Sequence, residues 1–218
     1  MIAYQLGGLN MSNQLNFFDV VSSRRSVKAY DASHQISKDE IRQLLTVTQQ
    51  APSSWNLQQW KFLVFDEQAQ KEQLLPIAYG QKQVVEASVV IAVLGDLEAN
   101  GNAELIYSEA VAQGRITSEI KSQLVNQINR AYVNPQIARD EAFLNASLAS
   151  MQLMLTARAM GYDTCPMRGV NFAAFVEKFD IPSRYTPVML IALGKSLKPG
   201  YKSSRFDVDD VIVWNKFE

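Results

Sequence analysis

The run Ser88-Val89-Val90-Ile91-Ala92-Val93-Leu94 is uncharged, rich in β-branched residues and stopped by Gly95. It has no polar side to give to water, so it fits a strand covered on both faces. A second run of this kind, Thr186–Leu193, lies near the other end of the chain. Strands covered on both faces need helices above and below, and the sequence supplies them. Ser37-Lys38-Asp39-Glu40 is a capping box, followed at helical spacing by Ile41, Leu44, Leu45 and Thr48, and that helix ends before Pro52. Arg139–Met160 is the clearest helix, with Leu144, Leu148, Met151 and Leu155 as its apolar stripe and Gly161 placed as a left-handed C-cap.

Shorter signals fill the intervals. A first helix spans Asn16–Ser22 with Phe17, Val20 and Val21 on one face, and Arg24–Tyr30 reads as extended. Trp60–Phe65 alternates as a strand, Asp66 caps a helix running to about Leu75, and Asn171 caps Phe172–Phe179. Residues 97–134 are polar and helical in two short pieces, an insertion or lid, and Val211–Trp214 reads as a short terminal strand. No repeat is visible. The class is α/β or α+β around a central sheet.

At 218 residues, 47% hydrophobic and 20% charged, the chain suits a single globular domain. A net charge of -1 gives no global pull toward nucleic acid or a lipid surface. With one cysteine, Cys165, no internal disulfide can form, and with one histidine, His34, no two-His zinc motif exists. The start lacks a signal-peptide pattern and no apolar run approaches the ~20 residues of a membrane span, so a cytoplasmic protein is expected. The sequons at Asn10 and Asn145 carry no meaning there. Residues 1–13 read as an N-terminal extension before a single domain over 14–218, and Met11 is an alternative start to Met1.

Several chemistries are missing. No G-x-G-x-x-G or G-x-S-x-G occurs, and Gly194-Lys195-Ser196 lacks the upstream glycine of a Walker loop because Met189 stands there. Cys165 reads as a buried packing residue and His34 as a solvated surface imidazole. A chain this poor in acids, bases and metal ligands needs a bound group to do hard chemistry.

Four segments could hold one. In Arg24-Arg25-Ser26-Val27-Lys28-Ala29-Tyr30, extended backbone projects Arg24, Ser26 and Lys28 from one face. That face is either a solvated basic edge or a grip for a phosphate and a second electron-rich group. Pro52-Ser53-Ser54-Trp55-Asn56-Leu57-Gln58-Gln59-Trp60 crowds donors and two indoles into one loop. Gly161–Gly169 can turn backbone N–H groups toward a ligand edge, and Tyr201–Phe206 is basic again through Lys202 and Arg205.

In this order and spacing the four segments resemble the flavin-dependent nitroreductase family: R-R-S-x-[RK]-x-[FY], then P-S-x-x-N-x-Q-P-W, then G-x-x-x-x-P-[ML]-x-G, then K-x-x-R, over about residues 16–215. The resemblance implies an α+β fold with a central, mostly antiparallel sheet flanked by helices, and a homodimer exchanging its C-terminal segments. It implies FMN as cofactor and NAD(P)H as donor. Arg24, Arg25 and Ser26 match the phosphate and ribityl grip, with Lys202 and Arg205 closing on it. Lys28 matches a cation at the flavin N1–C2=O edge, where charge accumulates on reduction. Gln83 matches a pyrimidine partner; Pro52, Ser53, Ser54 and Asn56 reach the flavin from the partner subunit; the backbone of Pro166, Met167, Arg168 and Gly169 faces the N5/O4 side. Gln59 replaces the family's proline, which implies a looser loop. The implied activity is ping-pong hydride transfer from NAD(P)H to nitroaromatic, quinone or similar conjugated small-molecule acceptors, with neither nucleic acid nor membrane as a partner. A flavin reservoir or sensor without turnover, a reductive dehalogenase and a flavin-modifying enzyme share the same motifs.

Overall fold

The computed structural model describes residues 16–217; the N-terminal extension and both candidate starts lie outside them. Four strands form one sheet in the order β1-β2-β4-β3: β1 Trp60–Phe65, β2 Val89–Asp96, β3 Asp163–Met167 and β4 Tyr185–Gly194. All three pairings are antiparallel, which settles the class as α+β. Register runs from Trp60 opposite Gly95 to Val89 opposite Leu193 and Thr164 opposite Leu193.

The expected double cover is present. Val90, Ala92 and Leu94 of β2 face a cluster that includes Leu74 of α3 (Gln68–Ile77) and Phe175 of α8 (Phe172–Lys178). Val89, Ile91 and Val93 face the opposite way, onto α2 (Lys38–Thr48) and α7 (Pro135–Ala159). Ser37 caps α2 through the full capping box, and Asn16 caps α1 (Phe17–Ser23) by accepting from Asp19 N. Three more helices complete the set before the insertion and within it: α4 (Gln83–Glu86) precedes β2, while α5 (Ala103–Ala112) and α6 (Ser118–Tyr132) occupy 97–134 with a 3-10 turn at Ala99–Asn102.

Several expectations are corrected. The helix α7 starts at Pro135, capped by Asn134, rather than at Arg139. Its buried side is Ala138, Ala142, Ala146, Ala149 and Leu153, whereas Leu144, Leu148 and Met151 of the apolar stripe are exposed. Small side chains let α7 approach the sheet closely: a Cβ on Gly95 would lie 2.8 Å from Ala142 O. In α1 only Val20 is buried; Phe17 and Val21 are exposed. Asp66 does not cap α3; Glu67 takes the N-cap position without a side-chain bond, and Asp66 pairs with Lys38 instead. Val211–Trp214 is not a strand: among the described residues it pairs with none, a 3-10 turn at Val208–Asp210 precedes it, and the tail over 201–217 is exposed, packed on nothing that would hold it extended.

Candidate functional site

Two distant parts of the chain meet at the β3 edge of the sheet. After α1, the backbone extends as expected and bridges β3, with Ser26 paired in parallel to Thr164 and Val27 N donating to Thr164 O at 3.0 Å. Val27 enters the core, so Ser26 and Lys28 point outward and are exposed. The alternation breaks at Tyr30, which is buried and donates to Ala192 O. Beyond β4 the chain returns alongside: Asp31 N donates to Lys195 O at 2.9 Å and Leu197 N to Ala29 O at 3.0 Å. Gly200 then crosses this segment so closely that a Cβ there would lie 2.6 Å from Arg25 Cβ.

Beyond that crossing lies Arg205, whose charge acts on Arg24. Burial and then the charges of Arg205 and Arg25 hold the Arg24 guanidinium below its ordinary pKa. Arg24 Nη1 is buried without a hydrogen-bond partner, and no salt bridge among the described residues includes Arg24 or Arg205. Arg205 is exposed, and its Nη1 donates to Ser203 Oγ and Ser204 O. The two like charges repel, and a phosphate between them would relieve that repulsion and give the orphaned Arg24 donor a partner. This donor set fits the phosphate of a nucleotide. Arg25 turns back onto Ser22 O and Arg24 O, away from that face, as alternation predicts. Lys202 is exposed. Burial raises the Cys165 thiol pKa, opposed by Lys28 and Arg24, which places both cations near this strand.

The pyrimidine-side candidates also come together. Gln83 on α4 is buried and donates to Gln81 Oε1 at 3.0 Å; Gln81 in turn donates to Gly169 O at 2.7 Å. Met167 is in the core, Pro166 is half-buried, and Arg168 lies over Phe172 while donating to Val188 O. Gln81 is the link between the two segments, and nothing in the local sequence marks it.

The loop before β1 is held in a costly shape. Trp55, Asn56 and Gln58 have φ of 53°, 56° and 54°, a left-handed conformation costing about 1–3 kcal/mol per non-glycine residue. Neighbours impose it. Asn145 Oδ1 accepts from Ser54 N at 2.9 Å, Ser53 Oγ accepts from Gln58 N, Tyr107 donates to Trp55 O and Asn102 to Leu57 O. Leu57 is fully buried against α5 and α6. Gln59 does not loosen the loop: it is fully buried and donates to Ser54 O and the Tyr132 hydroxyl. Pro52 and Asn56 remain exposed at the tip. Asn145, Asn102 and Tyr107 were not legible as loop supports, because each lies far from the loop in sequence.

This loop enters β1, at one edge of the sheet, whereas Arg24 and Ser26 lie against β3 at the other. Three strand spacings, about 14 Å, separate the edges. A hollow of about 440 Å³ opens beside β1, lined by Leu45, Leu57, Trp60, Phe62, Leu105 and Ile106, away from the arginine pair. Cys165 is buried as expected, but His34 is half-buried, with Nδ1 3.2 Å from Ser88 Oγ and its ring edge-on to Tyr162. Among the described residues no helix is long and apolar enough to cross a membrane.

The nitroreductase family model matches residues 21–195. The chain is 54% identical over 199 residues to "Putative NAD(P)H nitroreductase YodC" of Bacillus subtilis strain 168, covering 91% of this chain and 98% of the relative. It is 31% identical over 194 residues to the "CLA biosynthesis enone reductase" of Lactiplantibacillus plantarum, covering 87% of this chain and 89% of that one. A crystal structure described as a putative nitroreductase in complex with FMN, from Exiguobacterium sibiricum 255-15, superposes with a TM-score of 0.86 at 40% identity, covering 92% of this chain and 98% of that chain.

Proposed function

The chain belongs to the nitroreductase family, and on that premise we propose a homodimeric, FMN-dependent NAD(P)H oxidoreductase that reduces nitroaromatic, quinone or similar conjugated acceptors by ping-pong hydride transfer. The observation that carries this reading is the buried, unpartnered Arg24 Nη1 beside Arg205. Bound FMN would supply the ring that takes hydride from a nicotinamide and passes it to the acceptor. The protein's part is to bind, orient and stabilise charge. Arg24, Ser26 and Arg205 hold the phosphate and ribityl chain, Lys28 sets an ammonium at one edge of the site, and Gln83 with the Pro166–Gly169 backbone presents hydrogen-bonding groups to the ring. Arg25 and Lys202 add positive charge around the phosphate.

The placement of the loop supports the homodimer. Pro52, Ser53, Ser54 and Asn56 lead into the edge of the sheet opposite the one that Arg24 and Ser26 lie against, as fits residues that serve the partner's site. Two further features favour association. The α7 stripe of Leu144, Leu148 and Met151 and the tail residues Val211, Val213 and Trp214 are all exposed. The strand β1 pairs on one side only, leaving an edge that the partner's tail can join. Residues 97–134 brace the strained loop and shape the pocket above the cofactor. The relative named for enone reduction supports conjugated acceptors as the substrate class. The single cysteine, free and buried, fits a reducing cytoplasm.

Purified protein should be yellow and release FMN on denaturation; NAD(P)H should bleach it and a quinone or nitroaromatic should restore the colour. Protein that stays colourless with FMN added contradicts the cofactor. Protein that holds FMN yet never oxidises NAD(P)H with any acceptor is instead a reservoir or sensor.

A further inference from the structure

A polar knot away from the ligand-facing side chains joins the two arms that carry Arg24 and Arg205. Arg158, in the last turn of α7, donates from Nη1 to Asp163 Oδ1 at 3.0 Å and from Nε to Ser23 Oγ at 3.0 Å. Asp163, the first residue of β3, accepts from Ser196 Oγ on its other oxygen at 2.7 Å. The side chains of Arg158 and Asp163 are 26% and 14% exposed, so water screens the pair less than a surface ion pair. The turn between them reverses at Gly161, with φ of 79°.

The two hydroxyls decide the interpretation. Ser23 directly precedes Arg24, and Ser196 starts the segment that crosses Arg25 at Gly200 and leads to Arg205. One guanidinium and one carboxylate therefore fix the roots of both arms to the same point on β3 and α7. We infer that Arg158 and Asp163 are positioning residues that set the spacing of the Arg24 and Arg205 guanidiniums for a phosphate. A charge-assisted grip needs its donors within about 0.5 Å of the productive geometry, which long side chains reach only if their backbones are anchored. The inference rests on the FMN reading above.

The test is titration of the apoprotein with FMN and with riboflavin, which lacks the phosphate. Wild type should prefer FMN strongly. The neutral pair Ser23→Ala with Ser196→Ala should lower FMN affinity by about tenfold and leave riboflavin affinity within about twofold, the scale of one or two lost hydrogen bonds. Asp163→Ala should shrink the FMN preference further. Equal losses for both ligands mean that the knot only stabilises the fold, and an unchanged preference means that it does nothing for the grip; either overturns the inference. If Asp163→Ala does not melt cooperatively, the serine pair decides alone. A wild type that binds the two ligands alike removes the phosphate grip itself, and the inference falls with it.

Discussion

Gly200→Ala is the sharpest probe of how the arginine pair is assembled. The added Cβ would lie 2.6 Å from Arg25 Cβ and 2.9 Å from Ser26 O. Carbons in contact sit about 3.5–4.0 Å apart, so one side must retreat by about 1 Å. Overpacking of this order costs about 1–3 kcal/mol if the surroundings stay fixed. They are not equally fixed. The Arg24–Ser26 segment is anchored by the Val27–Thr164 hydrogen bond and by Val27 in the core, whereas the chain from Tyr201 onward is exposed. The tail therefore yields and carries Arg205 away from Arg24. A hydrogen bond to a charged group contributes about 1.5–3 kcal/mol, so FMN affinity should fall about tenfold or more. Riboflavin affinity should change less, and the apoprotein melt should stay within about 2 °C. FMN affinity within twofold of wild type refutes the crossing geometry. So does a melt lowered by several degrees with the FMN preference intact, because the core would then have absorbed the strain.

Gly95→Ala places a Cβ 2.8 Å from Ala142 O and 2.9 Å from its Cβ, driving β2 off α7; it should cost about 1–3 kcal/mol, about 2–4 °C of melting temperature per kcal/mol, and adding Ala142→Gly should recover only part because the carbonyl contact remains. Bonds from the Tyr162 hydroxyl and then Ser37 hold the Glu40 carboxyl below the ordinary carboxylate range. Its contribution is full above the unfolded value of about 4.3 and lost as pH falls through the folded value, so melting between pH 6 and 3 should drop less steeply in Glu40→Gln. A parallel fall in both proteins contradicts that assignment. Lys28→Ala should slow reduction by NAD(P)H about tenfold, about 1.4 kcal/mol of transition-state stabilisation, while weakening FMN binding less; equal losses in stopped-flow and titration count against its role at the ring.

The fold was legible where one local signal suffices. The Ser37 capping box, the Asn171 cap and the unbroken apolar run of β2 each depend on neighbours in sequence, and each forms as expected. The α7 stripe misled because hydrophobicity marked the wrong side: Leu144 and Leu148 face outward while the alanines pack beside Leu153, a preference set by Gly95 on a different element. The tail segment Val211–Trp214 has strand composition, yet it is exposed and pairs with no strand among the described residues. His34 lies in a polar turn by sequence, yet Ser88 and Tyr162 enclose it from other elements. At the site, the local sequence pattern turned Val27 inward and Ser26 and Lys28 outward along the extended segment. It could not show the left-handed backbone of Trp55 and Gln58, which tertiary bonds from Asn145, Asn102 and Tyr107 enforce. Nor could it show the Arg158–Asp163 knot, whose four members are spread from Ser23 to Ser196.

The central claim is that guanidiniums from opposite ends of the chain clasp one phosphate. The FMN dissociation constant of the apoprotein carrying Arg24→Ala together with Arg205→Ala tests it most directly. Loss of two charge-assisted bonds predicts affinity weakened by about 10²–10⁴-fold. A double variant that still binds FMN within about twofold of wild type contradicts it.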